Sequence, residues 1–132
     1  MARAGQRPRP IISCRRALRR EYVGKGQLWW VTTDYVLDET ITRLFAGTPF
    51  VKAQELRNAI FDSSKIGLLV VEPITPERFQ RAYKTRLRYR GKPRVSFTDL
   101  TSFTVMRELG IRQVLSADAH FQQAGLGFHR LL

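Results

Sequence analysis

At 132 residues, 43% of them apolar and with eight Phe and two Trp, the chain has the size and content for one compact domain with its own core. Its single cysteine, Cys14, excludes an intrachain disulfide, and no apolar run approaches the length of a bilayer crossing. Lys and Arg number 23 against 11 acids, a net charge of +12, so polyanions, nucleic acid first, are the expected partners and a soluble cytoplasmic protein without a membrane partner is the expected setting.

Residues 1–10 are polar, basic and rich in Pro and Gly. Residues 15–22 read as a short helix stopped by Gly24-Lys25-Gly26. Residues 28–33, LWWVTT, are aromatic and β-branched and predict a buried strand, in which Trp29 and Trp30 serve packing rather than base stacking. Asp34 then caps a helix over 35–45, and Thr48-Pro49 opens another to about residue 63. Residues 66–71 are an apolar run expected of a strand covered on both faces. Thr75-Pro76-Glu77 opens a helix to about residue 90, with Phe79, Ala82, Tyr83 and Leu87 as its apolar face. Thr98 or Asp99 caps a helix ending at Gly110; residues 111–116 predict a further strand, 118–124 a short helix, and 128–131 an edge strand. Apolar strands alternating with amphipathic helices define an α/β domain with a mainly parallel central sheet.

The charge is unevenly placed. Residues 1–25 hold eight Lys/Arg and one acid; residues 78–94 hold eight and none. In the second block Arg86, Arg88, Arg90, Lys92 and Arg94 are candidates for RNA phosphate contacts, though a solvated helix face explains them equally well. Three acids stand where parallel sheets place ligands: Glu39 early in the helix after LWWVTT, Asp99 at the start of the later helix, and Asp118 just after a strand. Clustered carboxylates suit Mg²⁺ or Mn²⁺. On spacing alone, however, Asp99 and Asp118 are good helix caps, and Glu39 pairs with Arg43 four residues on. His120 and His129 lack a metal-ligand spacing, and Cys14 has no base beside it in sequence.

Three stretches change that weighting. VTTDYVLDETITRLF, SFTDLTSFTVMRELGI and VLSADAHFQQAGL occur in this order, and residues 16–128 around them resemble a PIN domain of the VapC-like type. The resemblance implies a Rossmann-like three-layer fold over residues 15–132 and an endoribonuclease dependent on Mg²⁺ or Mn²⁺. Glu39, Asp99 and Asp118 would be its catalytic metal ligands, with Thr98 and Ser102 as polar supports. It further implies a toxin acting on RNA and neutralised by an antitoxin protein; a homodimer is the expected assembly.

One part departs from the family pattern. PIN domains begin with a central strand carrying a first catalytic Asp, and no acid precedes Glu21 here. Either PIISC at 10–14 stands in for that strand, or residues 1–14 are a disordered or replaced segment and the chain is misread upstream. The join RREYVGKGQLWWVTT favours the second explanation. A gap at the sheet centre would leave backbone groups unpaired, so a segment exchanged between two copies is one expected remedy. The missing Asp also motivates an alternative function, a catalytically impaired PIN-fold module that binds RNA or protein.

Overall fold

The structure is a computed structural model that describes residues 11–12, 30–92, 94–115 and 129–130. Five strands form one parallel sheet: β1 (Ile11–Ile12), β2 (Trp30–Thr33), β3 (Leu69–Glu72), β4 (Gln113–Leu115) and β5 (His129–Arg130), in the order β3-β2-β1-β4-β5. The described helices are α1 (Asp34–Gly47), α2 (Phe50–Lys65), α3 (Pro76–Arg88) and α4 (Phe97–Leu109). The parallel α/β class read from the sequence is the observed one. The helices expected at 15–22 and 118–124 lie outside the described residues.

The chain start differs from the favoured sequence reading. Ile11–Ile12 forms the central strand, with Ile11 in register with Val31 of β2 and Val114 of β4, and Ile12 with Leu115. Two consecutive β-branched residues suit that place, and their ladder satisfies backbone groups that β2 and β4 would otherwise expose to each other. Ile11-Ile12 within PIISC therefore takes the place of the first strand, and the structural reason for expecting an exchanged segment falls away.

Alternation along the strands sorts the core into two layers. Val31, Val70 and Val114 face one side, where they meet Ala82 of α3, Val95, and Leu100, Phe103, Val105 and Met106 of α4. Trp30, Leu69 and Leu115 face the other, against Ile60 of α2 and Leu37 and Leu44 of α1. All seven residues from Leu100 to Met106 are buried, so the middle of α4 is enclosed and its carboxyl end reaches the surface.

Several helix starts shift by a few residues. Thr33, not Asp34, caps α1, its hydroxyl accepting from the Val36 amide at 3.1 Å. Asp34 instead accepts from the Ile74 amide at 2.9 Å and pins the loop after β3 to the start of α1. Thr48 ends α1 and Pro49 precedes α2 without a side-chain cap. Thr75 caps α3 with Pro76 in its first turn, as its sequence signature predicts. Gly110 ends α4 at φ 68°, a left-handed conformation that a side chain disfavours.

The expected apolar face of α3 is only partly used. Ala82 is buried, but Phe79, Tyr83 and Leu87 are 40%, 50% and 44% exposed. The second inward position is held by Arg78, only 8% exposed. Its guanidinium donates to both carboxylate oxygens of Glu108 (3.1 and 3.2 Å), to Glu72 (2.9 Å) and to the Pro73 carbonyl (2.8 Å), and Arg81 reaches the same Glu108 at 3.1 Å. A guanidinium can be buried here because most of its donors are satisfied. Hydrogen bonding to Arg78, reinforced by the charges of Arg78 and Arg81, holds the Glu108 carboxyl below the usual range against the opposing effect of partial burial.

A carboxylate with a lowered folded pKa adds stability above its unfolded pKa, about 4.3, and loses it as pH falls through the lowered value. Denaturant titrations of the wild-type chain should therefore show stability falling below pH ~4.3 more steeply than in Glu108→Gln. Parallel curves for the two proteins would show that Glu108 adds no pH-dependent stability.

Candidate active site

The strand order sets where a ligand binds. The chain runs outward from β1 through β2 to β3, then returns to the other side of β1 for β4 and β5. The reversal falls between β1 and β4, and sheets of this kind usually bind ligands beyond the carboxyl ends of the strands at such a point. In sequence, Ser13 and Cys14 follow β1, and Ser116, Ala117 and Asp118 follow β4. These five positions, Asp118 among them, lie outside the described residues.

Glu39 sits in the second turn of α1, directly after β2. Val36 and Thr40 turn into the core, and Glu39 lies at the margin of that face with its side chain 29% exposed. It forms an i,i+4 ion pair with Arg43, as the spacing predicts. The neighbouring Asp38 is fully on the exposed side, so Glu39 is the more enclosed of the two acids.

Asp99 stands in the first turn of α4, partly buried. The cap expected at Thr98 or Asp99 is Ser96, whose hydroxyl accepts from the Asp99 amide at 3.0 Å. Capping therefore does not account for the Asp99 carboxylate, although the helix dipole still favours an acid in this turn. Thr98 is partly buried, and its carbonyl accepts from the Thr101 hydroxyl at 2.6 Å.

Ser102 is the more telling neighbour. It lies three residues beyond Asp99, on the same side of α4, and is 1% exposed. Its hydroxyl is buried with no hydrogen-bond partner among the described residues. An unpaired buried hydroxyl costs about 1–3 kcal/mol, so a ligand or a site carboxylate is its natural complement.

The structure places Glu39 and Asp99 on helices that pack against each other, α1 and α4. Among the described residues no three His, Cys, Asp or Glu side chains form a metal-binding group. The candidate cluster is thus a described pair, to which Asp118 is added from the sequence alone.

The basic residues divide by role. Arg86 donates to the carbonyls of Val95 (2.5 Å), Tyr89 (3.0 Å) and Lys92 (2.8 Å), closing the turn between α3 and α4. Its guanidinium is engaged by the protein's own backbone, which sets it apart from the other cations considered for RNA. Arg88, Arg90, Lys92 and Arg94 are exposed, with the Lys92 ammonium 5.7 Å from the centre of the Tyr89 ring. Sequence reasoning missed the buried role of Arg78, because its partner Glu108 lies 30 residues away.

The order 3-2-1-4-5, with helices on both faces, defines a doubly wound parallel α/β domain, and carboxylates stand on the helices that follow β2 and precede β4. Among solved structures the chain is similar to VapC20 of Mycobacterium tuberculosis, a toxin that cleaves the sarcin-ricin loop. The identity is 28% and the TM-score 0.65, over 80% of this chain and 77% of VapC20. The fold is that of a VapC-like PIN domain. No family model matches the sequence, and no curated protein does. Among the described residues no helix is long and apolar enough to cross a membrane.

Proposed function

We propose that the chain is a divalent-metal-dependent endoribonuclease that hydrolyses RNA phosphodiester bonds as the toxin of a toxin–antitoxin pair. The observation that carries this reading is the likeness to VapC20 across most of both chains, at 28% identity, with Glu39 and Asp99 on the helices around the switch point. The donor set fits the cation: Glu39, Asp99 and Asp118 are hard oxygen ligands of the kind Mg²⁺ and Mn²⁺ take, and Ser102, three residues beyond Asp99 on α4, is a buried hydroxyl awaiting a partner. A Mg²⁺ or Mn²⁺ ion held there would supply positive charge against the phosphate and lower the pKa of water at the site.

The chain's own residues do the rest. Asp99 and Asp118 would supply negative charge to the site, and Glu39 would join them from α1 once its ion pair with Arg43 opens. Thr98 and Ser102, on the same helix as Asp99, are the polar groups that would support its carboxylate once a cation is bound. Arg88, Arg90, Lys92 and Arg94 hold substrate phosphates, and the net charge of +12 draws RNA to the surface. An antitoxin protein, a homodimer and a cytoplasmic setting complete the proposal.

Ser102→Ala separates a site role from a packing role. Removing an unpaired buried hydroxyl should leave stability unchanged or raise it by up to about 1 kcal/mol. It should also weaken Mn²⁺ binding or cleavage by roughly 10–100-fold, the usual effect of losing a supporting polar group. Thermal melts beside Mn²⁺ titrations check both halves; loss of stability with unchanged metal affinity would return Ser102 to the core.

A second reading has its own observation. Ser13 and Cys14 follow the central strand where the fold family carries an acid. The chain would then bind RNA with strong salt dependence and leave it intact. Incubating the purified chain with a sarcin-ricin-loop RNA in Mn²⁺ distinguishes the two: cleavage that EDTA abolishes supports the nuclease, and binding without cleavage supports the module.

A further inference from the structure

Away from the acids, α3 and α4 enclose a groove of about 440 Å³ floored by Phe103 and lined by Arg81, Lys84, Arg88, Arg107 and Glu108. Glu108 is spoken for by Arg78 and Arg81, and that pairing keeps it ionised and cancels the Arg81 charge. Lys84, Arg88 and Arg107 have no ion-pair partner among the described residues and are exposed. Among the described residues the groove therefore carries three uncompensated positive charges on a concave surface, with the partly buried salt bridges of Arg78 at one end. Arg81, Lys84 and Arg88 follow one another at helical spacing along one face of α3. They span about 10 Å, the axial rise of about three nucleotides of a helical strand.

We propose that this groove binds the sugar-phosphate backbone of RNA, as a contact surface separate from the carboxylate site. Asp99 and Arg107 lie eight residues apart on α4, about 12 Å along the helix axis, so one strand can reach both. The groove reads charge and not sequence: its floor is a buried phenyl ring, and its donors are ammonium and guanidinium groups that suit phosphate oxygens. The inference rests on RNA as the ligand of this chain and not on cleavage.

The test measures binding of a fluorescent single-stranded RNA to the full chain in EDTA, as a function of salt. Lys84→Ala/Arg88→Ala/Arg107→Ala should weaken affinity by about tenfold or more at low salt and lower the salt slope by about 2. Lys52→Ala/Arg57→Ala/Lys65→Ala, which removes the same charge from α2, should do much less. Arg88→Lys/Arg107→Lys, which keeps the charge, should retain affinity and shows that loss in the first variant is not misfolding. Equal losses from the α2 and groove triples would overturn the groove while leaving RNA binding intact. Failure of the wild-type chain to bind RNA would overturn the groove and the ribonuclease reading together. Displacement of the RNA by poly-glutamate of equal charge at equal concentration would assign the groove to an acidic protein segment and overturn the proposal.

Discussion

Asp99→Asn is expected to lower metal-dependent RNA cleavage by about 10³-fold or more while leaving the fold intact. The substitution keeps size and shape in the first turn of α4 but removes the negative charge. Stabilisation of transition-state charge by a bound cation amounts to several kcal/mol, and about 4 kcal/mol corresponds to about 10³ in rate. Because Ser96 supplies the cap, loss of the Asp99 carboxylate does not uncap the helix, and its dipole interaction is worth about 0.3–1 kcal/mol. The split between a large kinetic and a small thermodynamic effect is the signature to look for. Cleavage rates in Mn²⁺ beside thermal melts measure it, and a variant with near-wild-type cleavage would remove Asp99 from the site.

Ile11→Pro should carry the largest stability penalty in the chain relative to its size. Ile11 pairs with Val31 on one side and Val114 on the other, so its strand has no free edge. Proline there removes a ladder donor and leaves an acceptor on a neighbour unpaired, at about 3 kcal/mol or more. The effect tests whether PIISC is the central strand, because proline in a segment outside the sheet would cost little. Urea denaturation of Ile11→Pro against the wild type decides it; a midpoint unchanged within error would place residues 11–12 outside the sheet.

Strands β2 to β4 and the described helices were legible because they rest on local signals. Thr75-Pro76 announces α3, and the apolar stretches around β2, β3 and β4 announce the sheet. What the sequence blurred lay where several residues compete for one role. In TTD at 32–34 and SFTD at 96–99 any of several residues can cap, and only the geometry chose Thr33 and Ser96. That choice mattered for function, since it removed the capping explanation for Asp99.

Long-range pairing was invisible to periodicity. Phe79, Tyr83 and Leu87 spell an apolar stripe, yet the core takes Ala82 and Arg78, because Glu72 and Glu108 converge on the guanidinium from other elements. The same separation hid the groove, whose cations come from residues 81–88 and 107. For the first strand, two isoleucines in a basic Pro-rich stretch gave too short a pattern to outweigh the ordinary look of the join that follows.

The central claim is that this chain cuts RNA with a divalent cation despite lacking an acid after its first strand. The most direct measurement is the cleavage of a sarcin-ricin-loop RNA by the purified full chain, in Mg²⁺ or Mn²⁺ and in EDTA, with Asp99→Asn alongside. Cleavage by the wild type that both EDTA and Asp99→Asn abolish is the predicted result. Cleavage that survives both, or RNA that is bound and left intact in either metal, would contradict it.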